Sequence, residues 1–146
     1  MNSLSNKHIL ITGATGYLGN QLAFGLAELG ANIHVNSRTR DACERLVHDI
    51  KASGLSAVLA SFDVTNEEEV NKYVKSISQL DVLINNSYAG LGGTVLTASM
   101  DMYIDSYKSS VVASANLIKA LEPKLSEAVK RTGNASIINV ASMYGM

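Results

Sequence analysis

Tryptophan is absent from the 146 residues, and cysteine and proline occur once each. A single cysteine, Cys43, excludes an internal disulfide framework, so the fold has to be held by its core. A single proline, Pro123, beside 47% hydrophobic residues argues against long disordered or low-complexity stretches. Charge of either sign is also scarce: 12 lysines and arginines against 13 aspartates and glutamates leave a net charge of −1. Without a basic stripe, a nucleic-acid partner or an anionic membrane surface has no electrostatic support. The most apolar run, Val111 to Leu121, is interrupted by Ser114, Asn116 and Lys119 and is too short to span a bilayer. The opening Met1-Asn2-Ser3-Leu4-Ser5-Asn6-Lys7 carries no secretory h-region. His8, His34 and His48 share no ligand spacing, so no metal site is expected. Together these exclusions point to a soluble, cytoplasmic protein.

What is present is alternation. Short apolar runs at His8–Ile11, Ile33–Asn36, Ala57–Ser61, Val82–Asn85 and Ser136–Val140 read as strands covered on both faces. Between them lie helical patterns with readable ends. The first spans about Tyr17 to Leu29, with Leu18, Leu22, Leu26 and Leu29 on one stripe and Gly30 as its stop. The second runs from near Thr39 to Ser53, with Ala42, Leu46, Val47 and Ile50 inward. The third opens on Thr65-Asn66-Glu67-Glu68, which reads as a capping box begun by the threonine, and buries Val70, Tyr73, Val74 and Ile77. A fourth, long helix covers roughly Met100 to Lys130, and Pro123 should kink or restart it. The pattern predicts an α/β domain, a three-layer doubly wound parallel sheet of about five strands with helices on both faces. No linker or internal repeat divides it, so residues 1–146 are expected to form one domain.

The first strand runs straight into Thr12-Gly13-Ala14-Thr15-Gly16-Tyr17-Leu18-Gly19. In a strand–loop–helix setting each glycine has a task. Gly13 permits the tight turn, Gly16 lets backbone approach a pyrophosphate, and Gly19 allows close helix–strand packing. The phosphates would lie at the helix N-terminus, where free amides and the helix dipole favour negative charge. Gly13, Thr15, Gly16, Tyr17, Leu18 and Gly19 are therefore the expected pyrophosphate-binding set of a Rossmann fold. At the end of the second strand an NAD site needs a carboxylate for the ribose 2′-hydroxyl. This chain has Val35-Asn36-Ser37-Arg38-Thr39-Arg40 there, with no acid. Arg38 can pair with a 2′-phosphate and Ser37 can donate to it, which favours NADP over NAD.

The loop and three later segments resemble the short-chain dehydrogenase/reductase family. Asp63-Val64-Thr65 is similar to its adenine-holding Asp-Val, and Asn85-Asn86-Ser87-Tyr88-Ala89-Gly90 to its Asn-Asn-Ala-Gly segment, with two extra residues. Ser136-Ile137-Ile138-Asn139-Val140-Ala141-Ser142 resembles the fifth strand that leads to the catalytic serine. The resemblance implies hydride transfer between a nicotinamide and a carbonyl or alcohol carbon. It implies cofactor contacts from Asp63, Val64, Asn85, Asn86 and Ser87, and a carbonyl-polarising role for Ser142.

Three features depart from the family pattern. The glycine spacing is the one usual in its epimerase-like extended branch. Ser110 stands near the position of the family's helix asparagine. The tyrosine and lysine of the family's Tyr-x-x-x-Lys pair are not found in the 146 residues, and Tyr144 has no lysine after it. The chain is thus expected to be an N-terminal part that supplies cofactor binding and the serine, incomplete at its C-terminus and without turnover of its own. Non-catalytic dinucleotide binding or regulation, and a nucleotide-sugar epimerase or dehydratase, stay open as alternatives. An exposed fifth strand and the long fourth helix are expected to drive self-association, and the remaining partner is a small-molecule substrate.

Overall fold

A computed structural model describes residues 4–88 and 93–142. Along these residues the elements are β1 (His8–Ile11), α1 (Tyr17–Glu28), β2 (Asn32–Val35), α2 (Arg40–Ala52) and β3 (Ser56–Leu59). They continue with α3 (Glu67–Ser76), β4 (Val82–Asn85), α4 (Met100–Tyr107), a π-helical turn (Lys108–Val112), α5 (Ala113–Thr132) and β5 (Ser136–Asn139). The strands pair in parallel in the order β3-β2-β1-β4-β5. Where β2 and β3 were expected to run on to Asn36 and Ser61, the ladder stops at Val35 and Leu59. Asn36, Ala60 and Val140 still donate one backbone bond each to a neighbouring strand, to Ile11, Val35 and Asn85.

Strand alternation splits the core in two. Ile9, Ile11, Ile33, Val35 and Ile84 pack against Ala23 and Ala27 of α1 and Leu46 and Ile50 of α2. Leu10 and Leu83, on the other face, pack against Val70 and Tyr73 of α3 and Leu117, Leu121 and Leu125 of α5. Helices therefore cover both faces, giving the three layers expected. Burying each of the valine, leucine and isoleucine side chains contributes about 2 kcal/mol.

Three helices differ in detail from the sequence reading. In α1 the buried residues are Gly19, Ala23 and Ala27, while Leu18 and Leu29 are exposed and Leu22 and Leu26 only flank the core. Small residues at a spacing of four let the helix approach the sheet more closely than a leucine stripe would. The start of α3 is capped by Asn66, not Thr65: its side chain accepts from Glu68 N–H at 3.0 Å and Glu69 N–H at 3.2 Å. Thr65 is turned back to Asp63 instead. The long helix neither ends nor restarts at Pro123, which lies inside α5. Pro123 and Lys119, whose carbonyl loses its usual partner, are both exposed, so water can take the freed bond. The irregularity falls earlier, at the π turn, where Ser109 and Ser110 hydroxyls both donate to the Ser106 carbonyl.

Polar side chains are buried at two places beneath the helices. Asp81, 1% exposed, accepts from His8 N–H at 2.9 Å and Arg131 at 2.9 Å, with Lys7 at 3.4 Å. Burial would raise its pKa, but the His8 amide, the Arg131 guanidinium and the Lys7 ammonium together hold it below the usual carboxylate value. On the same face His34 Nδ1 lies 2.9 Å from the Tyr73 hydroxyl and its Nε2 lies 3.0 Å from His8 Nδ1. Burial, and secondarily the charge of His8, lowers the His34 pKa to about 4; burial raises that of Tyr73. His34 is thus a strand residue packed under a helix. Among the described residues no group of acids, histidines and cysteine could hold a metal ion, and no helix is long and apolar enough to cross a membrane.

β5 forms one edge of the sheet, and all four of its residues are exposed. α4 buries no residue, and presents Met100, Tyr103, Ile104 and Tyr107 outward.

Candidate nucleotide-binding site

The strand order reverses between β1 and β4, and in such sheets ligands settle beyond the carboxyl ends of the strands at that point. The Thr12–Gly19 loop occupies it. Gly13 has φ +62°, a left-handed conformation, and a Cβ there would come within 3.0 Å of Ser87 Cα. A Cβ on Gly19 would overlap the Gly13 carbonyl oxygen and lie 2.7 Å from Ala14 Cα. Gly16 has ordinary backbone angles and is exposed, so its lack of a side chain matters for what approaches from outside.

Helix α1 begins at this loop with no side-chain cap and no acid in its first turn. By contrast α3 is capped by Asn66 and opens on Glu67, Glu68 and Glu69. First-turn amides left uncapped, together with the dipole, make the start of α1 the end suited to an anion. Thr12, fully buried, ties the loop to the neighbouring strand end. Its hydroxyl accepts from the Asn86 and Ser87 N–H groups, both at 2.9 Å, and the Asn86 carboxamide donates to the Thr12 carbonyl at 2.9 Å.

An open cleft of about 400 Å³ joins these parts. One end is lined by Gly13, Thr15, Gly16, Tyr17, Leu18 and Gly19 with Asn86, Ser87, Tyr88 and Ser109. The other is lined by Asn36, Ser37, Arg38 and Thr39 with Phe62, Asp63, Val64 and Thr65. Four separated loop stretches, together with Ser109 of the π turn, thus meet at one surface.

At the second end, the Ser37 hydroxyl accepts from the Thr39 N–H at 3.1 Å, which sets the turn into α2. Arg38 is exposed and has no ion pair among the described residues. Arg40, the other candidate cation, is held by Glu44 at 2.7 Å and does not line the cleft. Asp63 serves its turn and faces the cleft at once: Oδ1 accepts from the Thr65 N–H and hydroxyl, each at 2.8 Å.

Two candidate residues lie off the cleft. Asn85 is 5% exposed and its Nδ2 donates to Asn139 Oδ1 at 2.8 Å, so its carboxamide links β4 to β5. Strand alternation turns it toward the face shared with Leu83, and it is not among the residues that line the cleft. Ser142 lies three residues past β5, at the carboxyl edge, exposed. Ala89, Gly90 and Tyr144 fall outside the described residues. Among the cleft residues that the motif reading did not select, Tyr88 directly follows Asn86 and Ser87. Asn36 gave a weaker sign, a single amide closing an apolar strand.

A model of the short chain dehydrogenases matches residues 7–146. The ketoacyl reductase HetN of Nostoc sp. is 30% identical over 149 aligned positions, covering 99% of this chain and 50% of that protein. The chain therefore spans about half the length of this relative. A gluconate 5-dehydrogenase from Burkholderia cenocepacia, solved with NADP and tartrate, superposes with a TM-score of 0.83 at 26% identity, over 97% of this chain and 55% of that one. An NADH-dependent reductase responsible for alginate metabolism superposes at 0.85 with 26% identity, over 98% of this chain and 61% of that one.

Proposed function

The chain belongs to the short chain dehydrogenase family, and from that premise we propose that its cleft binds a nicotinamide dinucleotide, NADP in preference to NAD. The observation that carries the reading is the cleft itself, where a helix start without a side-chain cap lies at one end and Arg38, with no ion pair among the described residues, at the other. The amides of Thr15 and of Tyr17 to Gly19 hold the pyrophosphate, the Gly16 N–H being engaged by the Gly13 carbonyl, and the bare backbone at Gly13 and Gly16 lets it come close. Asn86 and Ser87, fixed by Thr12, line the wall beside it. At the far end Arg38 pairs with the 2′-phosphate, Ser37 donates to it, and Asp63 with Val64 receives the adenine. The whole chain acts as a single nucleotide-binding domain.

When bound, the cofactor supplies a hydride to a carbonyl carbon; the share of these 146 residues is cofactor binding and the serine, without turnover of their own. Ser142, at the same edge of the sheet, donates a hydrogen bond to the carbonyl oxygen of a small-molecule substrate. The reductase relatives favour this reaction over the epimerase-like reading of the glycine spacing. Self-association through the outward face of α4 and the edge of β5 is part of the same proposal.

Replacing Arg38 by alanine tests the cofactor assignment. Loss of a charge-assisted phosphate contact should weaken NADPH binding by about 10- to 100-fold and leave NADH nearly unchanged. Equal weakening of both would remove Arg38 from the phosphate site.

A further inference from the structure

One side chain in the cleft wall has no role in the binding scheme above. Asn36 directly follows β2, is 1% exposed and lines the cleft. Its backbone is fully engaged: the N–H donates to the Ile11 carbonyl at 3.2 Å, and its carbonyl accepts from the Ala14 N–H at 2.8 Å. The carboxamide Nδ2 donates to the Ala60 carbonyl at 2.8 Å and to the Phe62 carbonyl at 3.1 Å. Both of those partners are acceptors only, so nitrogen must sit on that side and the amide cannot be flipped. The remaining atom, Oδ1, takes no hydrogen bond from the described residues. Among the described residues, the enclosed side-chain oxygen without a partner is that of Asn85. Asn36 Oδ1 is therefore not enclosed, and in a side chain this buried it opens where the residue lines the cleft.

We infer that Asn36 is a ligand-binding residue, its Oδ1 a fixed acceptor for a hydrogen-bond donor on the adenosine half of the dinucleotide. The inference rests on the nucleotide reading proposed above. Its neighbours place it at that half, with Ser37 and Arg38 on one side and Phe62, Asp63 and Val64 on the other. Two groups of adenosine supply such a donor, the purine amine and a ribose hydroxyl. The acceptor is preorganised, because four hydrogen bonds already fix Asn36 and binding costs no further side-chain freedom. A ligand that lacks the donor leaves a buried-edge oxygen stripped of water with nothing in return, which is the origin of selectivity at such positions. Asp63 is less free to play this part, since Thr65 already occupies one of its oxygens twice.

The test titrates the 146-residue chain with adenosine 2′,5′-bisphosphate, its inosine counterpart and its 3′-deoxy counterpart. One of the two analogues should bind the wild type about tenfold more weakly than the parent. In Asn36→Ala that analogue and the parent should bind equally. The inosine arm identifies the purine amine as the donor, and the 3′-deoxy arm the ribose hydroxyl. Equal binding of all three ligands to the wild type overturns the inference. So does an Asn36→Ala variant that weakens all three by one factor and keeps the gap, since a purely structural role would do that. If Asn36→Ala does not fold, the side-chain amide resonance of Asn36 in the wild type gives the readout. It should move with the parent ligand and not with the weaker analogue, and identical shifts overturn the inference. Failure of the parent to bind the wild type at all would instead overturn the nucleotide reading itself.

Discussion

Acidification should weaken this fold well before its carboxylates titrate, because His34 is buried without a counter-ion. Its pKa falls from 6.5 to about 4, first through burial and then through the charge of His8. The unfolded chain therefore binds a proton that the folded chain refuses. Stability is complete above pH 6.5, declines as pH falls toward about 4, and levels off below that. At about 1.4 kcal/mol per pH unit, the gap between the two values integrates to about 3 kcal/mol. Small domains hold about 5–15 kcal/mol in all, so this is a large share. His8, also lowered by burial, adds in the same direction. Asp81 is held below its usual 3.8, so its own contribution is lost only under that pH, outside the window. Hydrogen bonding explains why the neutral form is kept: the Tyr73 hydroxyl donates to Nδ1, and Nε2–H donates to His8 Nδ1, an order that satisfies the buried Tyr73 proton. Urea unfolding at pH 7, 6, 5 and 4 measures the slope directly. His34→Leu combined with Tyr73→Phe removes the titrating ring together with the hydroxyl that needs it, and should more than halve the slope. A wild type whose stability is flat between pH 7 and 4, or a double variant with the full slope, would refute the argument.

Two further outcomes follow from the geometry. Gly19→Ala places a Cβ against the Gly13 carbonyl and Ala14 Cα; it should cost about 1–3 kcal/mol in urea unfolding and abolish dinucleotide binding in calorimetry. Ile104→Glu with Tyr107→Glu, on the outward face of α4, should convert a self-associated chain to monomer in sedimentation velocity. A wild type that is already monomeric removes that reading.

The parts of this fold that local pattern determines were legible in the sequence. β1 and β4 fall where continuous apolar runs place them, and Gly13 and Gly19 mark the loop through a left-handed φ and a close backbone approach that no other residue meets as well. The α1 stripe misled because leucines signal a helical face without saying how closely that face can approach a sheet, and Ala23 and Ala27 decided it. The α3 cap went to Asn66 because Asp63 claims the Thr65 hydroxyl, a choice between adjacent polar residues that spacing cannot make. Asn36 was hidden for a different reason. Its partners are Ala60 and Phe62, more than twenty positions away, and a single amide at a strand end looks like any other loop residue. Asn85 shows the converse, since membership of a motif does not reveal that its carboxamide bonds to Asn139 of β5.

The central claim is that this chain, by its own residues, holds a phosphorylated nicotinamide dinucleotide. Calorimetric titration of the wild-type 146-residue chain with NADPH and with NADH tests it most directly. The account predicts saturable binding of both at one site, with NADPH tighter by about 10-fold or more, as expected for one charge-assisted phosphate contact. Tighter binding of NADH would contradict the assignment of Arg38, and no binding of either would contradict the account as a whole.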